Sequence, residues 1–143
     1  MPGASSLWWP LLWRFTLAIV VLSYVIAWTS QFVVPLDENW IKIRPTVGWF
    51  ALAAIFWVAG AASTRFLSTV LWGDRLALSA SQWLAVSTGV SLFFALLAVL
   101  NWVVAYFAST DTWLNFKLFA PYPLFIAFLI ALSRRLHTSR NAA

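Results

Sequence analysis

The sequence predicts an all-α, polytopic membrane protein with four transmembrane helices and a short interfacial helix between the second and third. Hydrophobic residues make up 63% of the 143 residues and charged residues only 9%, whereas a soluble domain carries about a quarter charged residues. Uncharged stretches recur at the length that crosses a bilayer, about 20 residues. Eleven tryptophans suit a protein with a large surface at the membrane–water boundary. We expect a single transmembrane helical domain over residues 1–143.

The residue types present exclude several kinds of site. The chain has no cysteine, so it cannot form a disulfide, a thiolate metal site or a cysteine nucleophile. Its single histidine, His137, excludes haem ligation by two histidines of one chain. No glycine-rich phosphate loop, HExxH motif or nucleophile elbow is present, so we predict no catalytic, cofactor-binding or metal-binding residue. The net charge of +5 is typical of loops facing anionic lipid, and we predict no nucleic-acid binding.

Two uncharged runs in the first half predict the first two spans. Residues 15–34 have the length of one membrane-spanning helix. A polar loop bounded by Pro35 and Pro45 follows. The second span is predicted at residues 46–64, and it ends in small residues that allow close helix contact.

The segment 64–72 differs from the spans on either side. Its large apolar residues fall on one helical stripe, and Arg65, Ser68 and Thr69 lie elsewhere. That pattern predicts a short helix lying in the plane of the interface. The alternative is a frayed continuation of the second span.

The third span comes from an uncharged run, 76–110, that is too long for one untilted helix. We assign 76–83 to a leading segment and 84–108 to the span. Small residues recur every four positions and predict a ridge for a neighbouring helix: Ser87, Ser91 and Ala95. Asn101 lies within this span, and an amide within lipid needs a partner. It either joins two helices or lines a polar cavity.

The fourth span is predicted at residues 113–133, after a short loop in which Asp111 is a plausible N-cap. Pro121 and Pro123 should kink it or unwind it locally. A basic tail with three arginines follows.

Charge predicts the topology. Four spans place both termini on one side, which then collects six cations against one anion: Arg14, Arg65, Arg75, Arg134, Arg135 and Arg140 against Asp74. The other side collects three of each and is neutral: Lys42, Arg44 and Lys117 against Asp37, Glu38 and Asp111. The positive-inside rule therefore puts both termini in the cytoplasm.

Three features together resemble the bacterial intracellular septation protein A family. Segment 37–46 has the sequence D-E-N-W-I-K-I-R-P-T, and segment 109–119, the most specific, contains W-L-N-F-K. Between them, aromatic and amide residues keep the spacing of the family's penultimate span: Trp83, Phe93, Phe94 and Asn101. The family usually begins with an extra hydrophobic hairpin, so we expect a short, divergent member that lacks it. Four residues replace an expected aromatic, proline, asparagine and tryptophan respectively: Ile43, Ser79, Ser87 and Val90.

The resemblance implies an integral protein of the bacterial inner membrane that supports septation and envelope integrity. Its implied partners are membrane lipids and the membrane proteins of cell division and elongation, and self-association into a homo-oligomer is left open. The motif matches become candidate partner-binding residues: Trp40, Lys42, Arg44, Pro45, Thr46, Asn101, Trp113, Asn115, Phe116 and Lys117.

Two rival functions and one rival arrangement stay open. A small oligomeric channel or transporter would line its pore with Asn101, Asn115 and Lys117, and a lipid-handling enzyme would need a pocket holding an acid or base. We expect the polar segment 35–46 to dock on segment 109–117 on the outer side. The alternative is a set of independent interfacial anchors that share that side.

Overall fold

The computed structural model describes residues 37–62 and 78–141, together with residues 13–14, 16–22, 24–25 and 28–29. The regular structure in this part of the chain is α-helical. Four helices have defined bounds: α1 Glu38–Ala62, α2 Ala80–Phe107, α3 Thr110–Phe119 and α4 Pro121–Asn141. The described residues between 13 and 29 are also helical.

Three stretches are long and apolar enough to cross a membrane: Asn39–Ala62, Ala80–Phe107 and Thr110–Thr138. The predicted all-α membrane class is therefore confirmed. The predicted first span, 15–34, is described only in part, and the predicted interfacial helix, 64–72, lies outside the described residues. The count of four spans stays a prediction.

Helix α1 begins at Glu38. The predicted loop, 35–45, is therefore wrong from Glu38 onward. The backbone N–H of Ile41 already donates to the Asp37 carbonyl at 3.0 Å. Pro45 lies inside the helix and cannot donate to the Ile41 carbonyl. Beside this gap, Asn101 of α2 donates to the carbonyl of Lys42, the next residue along α1.

The helix α2 begins at Ala80, four residues before the predicted start of the third span. Ser79 and Gln82 form a capping box: the Gln82 N–H donates to Ser79 Oγ at 3.3 Å, and the Ser79 N–H donates to Gln82 Oε1 at 3.0 Å. Trp83, which we placed in a leading segment, is buried in the first turn. The capping box marks the start of α2, which the hydrophobicity of the sequence alone did not locate.

The last span is divided into α3 and α4 at Ala120, immediately before Pro121, and the predicted kink or local unwinding at the prolines stays a prediction. Pro121 opens α4, where its missing N–H is tolerated. The predicted N-cap was wrong: Ser109 caps α3 by accepting from the Thr112 N–H at 3.3 Å. Asp111 lies in the first turn, where its charge suits the helix dipole.

Small residues hold α1 and α2 together. Ser87 donates to the Phe56 carbonyl, and Ser91 donates to the Ala53 carbonyl at 2.7 Å. Partner numbers fall as donor numbers rise, so the two helices are antiparallel. A Cβ on Gly60 would collide with Ser87, which shows how closely the backbones approach. The predicted small-residue ridge is confirmed at both serines.

Aromatic rings continue the core towards α4. Phe94 stacks on Phe56 of α1 with centroids 6.1 Å apart, and Phe93 stacks on Phe128 of α4 at 4.7 Å. Leucines from α4 complete the buried cluster: Leu129, Leu132 and Leu136. Ile19 and Leu22 pack against the same core, so the helical residues of the first run belong to this bundle.

Candidate functional site: a buried asparagine where three helices meet

Asn101 of α2 is fully buried, at 0% exposure, and bonds to two other helices. Its Nδ2 donates to the Lys42 carbonyl at 3.1 Å and to Thr46 Oγ1 at 2.8 Å, both on α1. Its Oδ1 accepts the indole N–H of Trp113 on α3 at 3.1 Å. The amide orientation follows from chemistry, because an indole N–H only donates and a carbonyl only accepts.

The sequence places these partners through simple spacings. Lys42 and Thr46 are four residues apart, so they share one face of α1. Asn101 lies six residues before the end of α2, about 9 Å along the axis. Only Ala108 and Ser109 separate α2 from α3, and the Ser109 cap starts the new helix at once. Trp113 is thereby turned back against Asn101.

Lys117 extends the cluster from the buried amide to the surface. It lies one turn after Trp113, and its Nζ is 5.2 Å from the centroid of the Trp113 ring. This is a cation–π contact, which contributes about 0.5–1 kcal/mol at an exposed site. The buried indole therefore bonds to an amide at its edge and holds an exposed cation over its face.

Five of the ten candidate residues form one continuous set of contacts, which we name the Asn101 cluster: Lys42, Thr46, Asn101, Trp113 and Lys117. The other five candidates lie on α1 and α3. Trp40 and Asn115 are exposed, and Arg44, Pro45 and Phe116 are half-buried. The two polar segments do come together. They meet as helices through a third helix, not as two docked loops.

Sequence reasoning identified Asn101 as a residue in need of a partner but did not identify that partner. The missed signal was Trp113, whose indole N–H is a hydrogen-bond donor near the same membrane face. Complete burial and three hydrogen bonds fit a helix-joining amide, not a pore-lining one, within this protomer. In the described residues no group of three histidine, cysteine, aspartate or glutamate side chains could hold a metal ion.

Comparison with known proteins gives the family. The model for intracellular septation protein A matches residues 8–142. The chain belongs to the intracellular septation protein A family. Curated relatives called inner membrane-spanning protein YciB include one from Nitrosomonas eutropha, 34% identical over 78% of this chain and 61% of the relative. One from Acidovorax ebreus is 37% identical over 75% of this chain and 60% of the relative. One from Paraburkholderia phymatum is 31% identical over 87% of this chain and 67% of the relative.

This septation-family chain spans about three fifths of the length of the first two of these relatives. No solved structure matches it. The relatives' name and the three apolar helices identify a multi-pass protein of the bacterial inner membrane. The family is named for septation and is not a known enzyme family.

Proposed function

We propose that this protein supports septation and envelope integrity by binding membrane proteins of division and elongation, without catalysis. The family name supports the septation role. The observation that carries the binding role is the Asn101 cluster, which fixes three helices at one membrane face.

The cluster joins three helix ends at that face. The start of α1, the end of α2 and the start of α3 lie together because α1 and α2 are antiparallel and α3 follows α2 after two residues. Lys117 is exposed there, and the partly buried Lys42 and Arg44 belong to the same end of α1. A binding surface fixed before association loses less conformational entropy when its partner arrives.

The charge asymmetry favours a four-span topology with both termini in the cytoplasm and the Asn101 cluster at the outer face. In that orientation the cations would meet either an acidic loop of a partner or a lipid headgroup. A channel role is less well supported, because Asn101 is enclosed between helices instead of facing an opening.

The test is crosslinking and pull-down from native membranes with the full chain. Lys117→Gln should lose division and elongation partners, whereas Lys117→Arg should keep them. Arg134→Gln is the matched control, because Arg134 is an exposed cation at the other end of the same span. Equal recovery of these partners with Lys117→Gln and wild type would contradict this binding face. Solute flux in reconstituted vesicles that depends on Lys117 would favour the channel.

A further inference from the structure

Helix α3 is held to the rest of the bundle by one buried side chain. Trp113 is the only buried residue among the ten of this helix, all of which the structure describes. The next helix, α4, buries three leucines in the core: Leu129, Leu132 and Leu136. An element with little buried apolar surface opens at a low free energy, because few contacts are lost when it leaves. We therefore expect α3 to open more readily than α4.

The junction between α3 and α4 lacks three successive backbone hydrogen bonds. Pro121 and Pro123 have no N–H, and the Tyr122 N–H donates to no carbonyl among the residues that the structure describes. The next bond is long, with 3.4 Å between the Leu124 nitrogen and the Ala120 carbonyl oxygen. Helices bend where proline interrupts the backbone ladder. The chain can therefore bend at this junction without breaking a strong hydrogen bond.

The connection at the other end of α3 consists of two extended residues, Ala108 and Ser109. The Ala108 N–H donates back into α2, to the Val104 carbonyl at 3.0 Å. Ser109 bonds forward into α3, where its hydroxyl accepts from the Thr112 N–H. The bonding pattern changes from one helix to the next between these two residues. Helix α3 is therefore a short rod with a joint at each end.

Two contacts of Trp113 keep this rod against the bundle. Its indole N–H donates to Asn101 Oδ1 at 3.1 Å, and the Lys117 Nζ lies 5.2 Å from the centroid of its ring. The other end of the same amide bonds to the buried hydroxyl of Thr46 at 2.8 Å. The indole is the donor that Asn101 Oδ1 has in the closed arrangement. Moving α3 away would free this oxygen.

We propose that α3 is a hinged cover over the Asn101 amide. It moves outward at the junction with α4, within the reach of the two-residue connection to α2, while α1, α2 and α4 stay packed. Opening withdraws the Trp113 indole and makes Asn101 Oδ1 available to another hydrogen-bond donor, beside the Thr46 hydroxyl. The closed and open forms are two states of one chain, and the Trp113 contacts set their ratio. The inference does not rest on the proposed function, because opening is a property of the isolated protein.

The test is thiol labelling of the purified full chain in detergent, since the protein has no native cysteine. Three buried hydroxyl residues serve as single-cysteine reporters with little change in size. Thr46→Cys lies beside the Asn101 amide, Ser91→Cys lies between α1 and α2, and Ser133→Cys lies on the buried side of α4. Each thiol reacts only when its cover opens. Each reporter is compared with itself in different backgrounds, so differences in intrinsic reactivity cancel.

Trp113→Phe removes the indole N–H and should raise the labelling rate of Thr46→Cys about threefold, the change that one average membrane hydrogen bond gives. The rates of Ser91→Cys and Ser133→Cys should not change. Lys117→Gln weakens the closed form without altering a buried residue, because Lys117 is exposed. Loss of its cation–π contact should raise the rate of Thr46→Cys about two- to fivefold. Lys117→Arg is the matched control, because it keeps a cation for the ring and should keep the rate.

Equal acceleration of Thr46→Cys and Ser133→Cys would mean that α3 and α4 move as one rod, and it would overturn the hinge. Equal acceleration of all three reporters would mean that the whole bundle unfolds. An unchanged rate of Thr46→Cys in both backgrounds would mean that Trp113 does not hold α3 closed. Either of these results overturns the cover. No partner protein is present in these measurements, so their failure would leave the proposed function to its own pull-down test.

Discussion

The Asn101 amide oxygen accepts the Trp113 indole N–H at 3.1 Å and thereby joins the end of α2 to the first turn of α3. The two residues are only twelve positions apart, but the bond closes a sharp turn at the membrane face. The same amide reaches α1 through its nitrogen. One side chain therefore joins three helices at this end of the bundle.

Asn101→Ala should lower the free energy of unfolding in detergent by about 2 kcal/mol, because three hydrogen bonds of about 0.6 kcal/mol each are lost. Asn115→Ala is the control, since Asn115 is exposed on α3. It should change stability by less than about 0.5 kcal/mol. Chemical denaturation of both variants in one detergent makes the comparison. Similar losses would mean that the buried amide carries no special weight.

The membrane class and the location of polar chemistry were predictable from the sequence, because both depend on composition and local pattern. Helix starts were less predictable. Ser79 and Ser109 begin helices through side-chain caps, and a hydropathy pattern carries no signal for caps. Pro45 was taken for a boundary because local rules treat proline as one. The helix that contacts α1 at this point is far away in the sequence: Asn101 of α2 donates to the Lys42 carbonyl beside the missing bond.

Trp113→Phe should weaken the fold through one lost bond, by roughly 0.6 kcal/mol, while keeping most of the buried ring. A double-mutant cycle with Asn101→Ala should then show coupling, because the indole has nothing to bond to once the amide is gone. Trp40→Phe, at an exposed tryptophan of α1, should combine additively with Asn101→Ala. Additive losses for Trp113→Phe with Asn101→Ala would contradict the bond. Detergent unfolding provides the measurement.

Gly60→Ala should destabilise the α1–α2 pair by about 1–3 kcal/mol, the usual cost of overpacking. The added methyl group would collide with the Ser87 side chain. Gly89→Ala is the matched control, because its added methyl would lie 3.7 Å from the nearest atom, in Phe128. Ser87→Gly should recover part of the loss in the Gly60→Ala background. Thermal stability in detergent gives the ranking, and equal effects of the two glycine changes would contradict the close helix contact.

The membrane orientation can be separated from the helix arrangement with single cysteines and an impermeant thiol reagent in intact cells. Asn39→Cys and Thr110→Cys should be labelled alike whichever way the protein inserts, because α1 and α3 start at one membrane face. Thr138→Cys, near the end of α4, should show the opposite labelling. The charge asymmetry adds the direction: residues 39 and 110 should react and residue 138 should be protected until the cells are opened. All three positions are exposed, so protection reports the membrane and not burial. Reaction at 138 with protection at 39 and 110 would reverse the orientation and leave the fold intact. Different labelling at 39 and 110 would contradict the antiparallel pairing of α1 and α2 on which the Asn101 cluster depends.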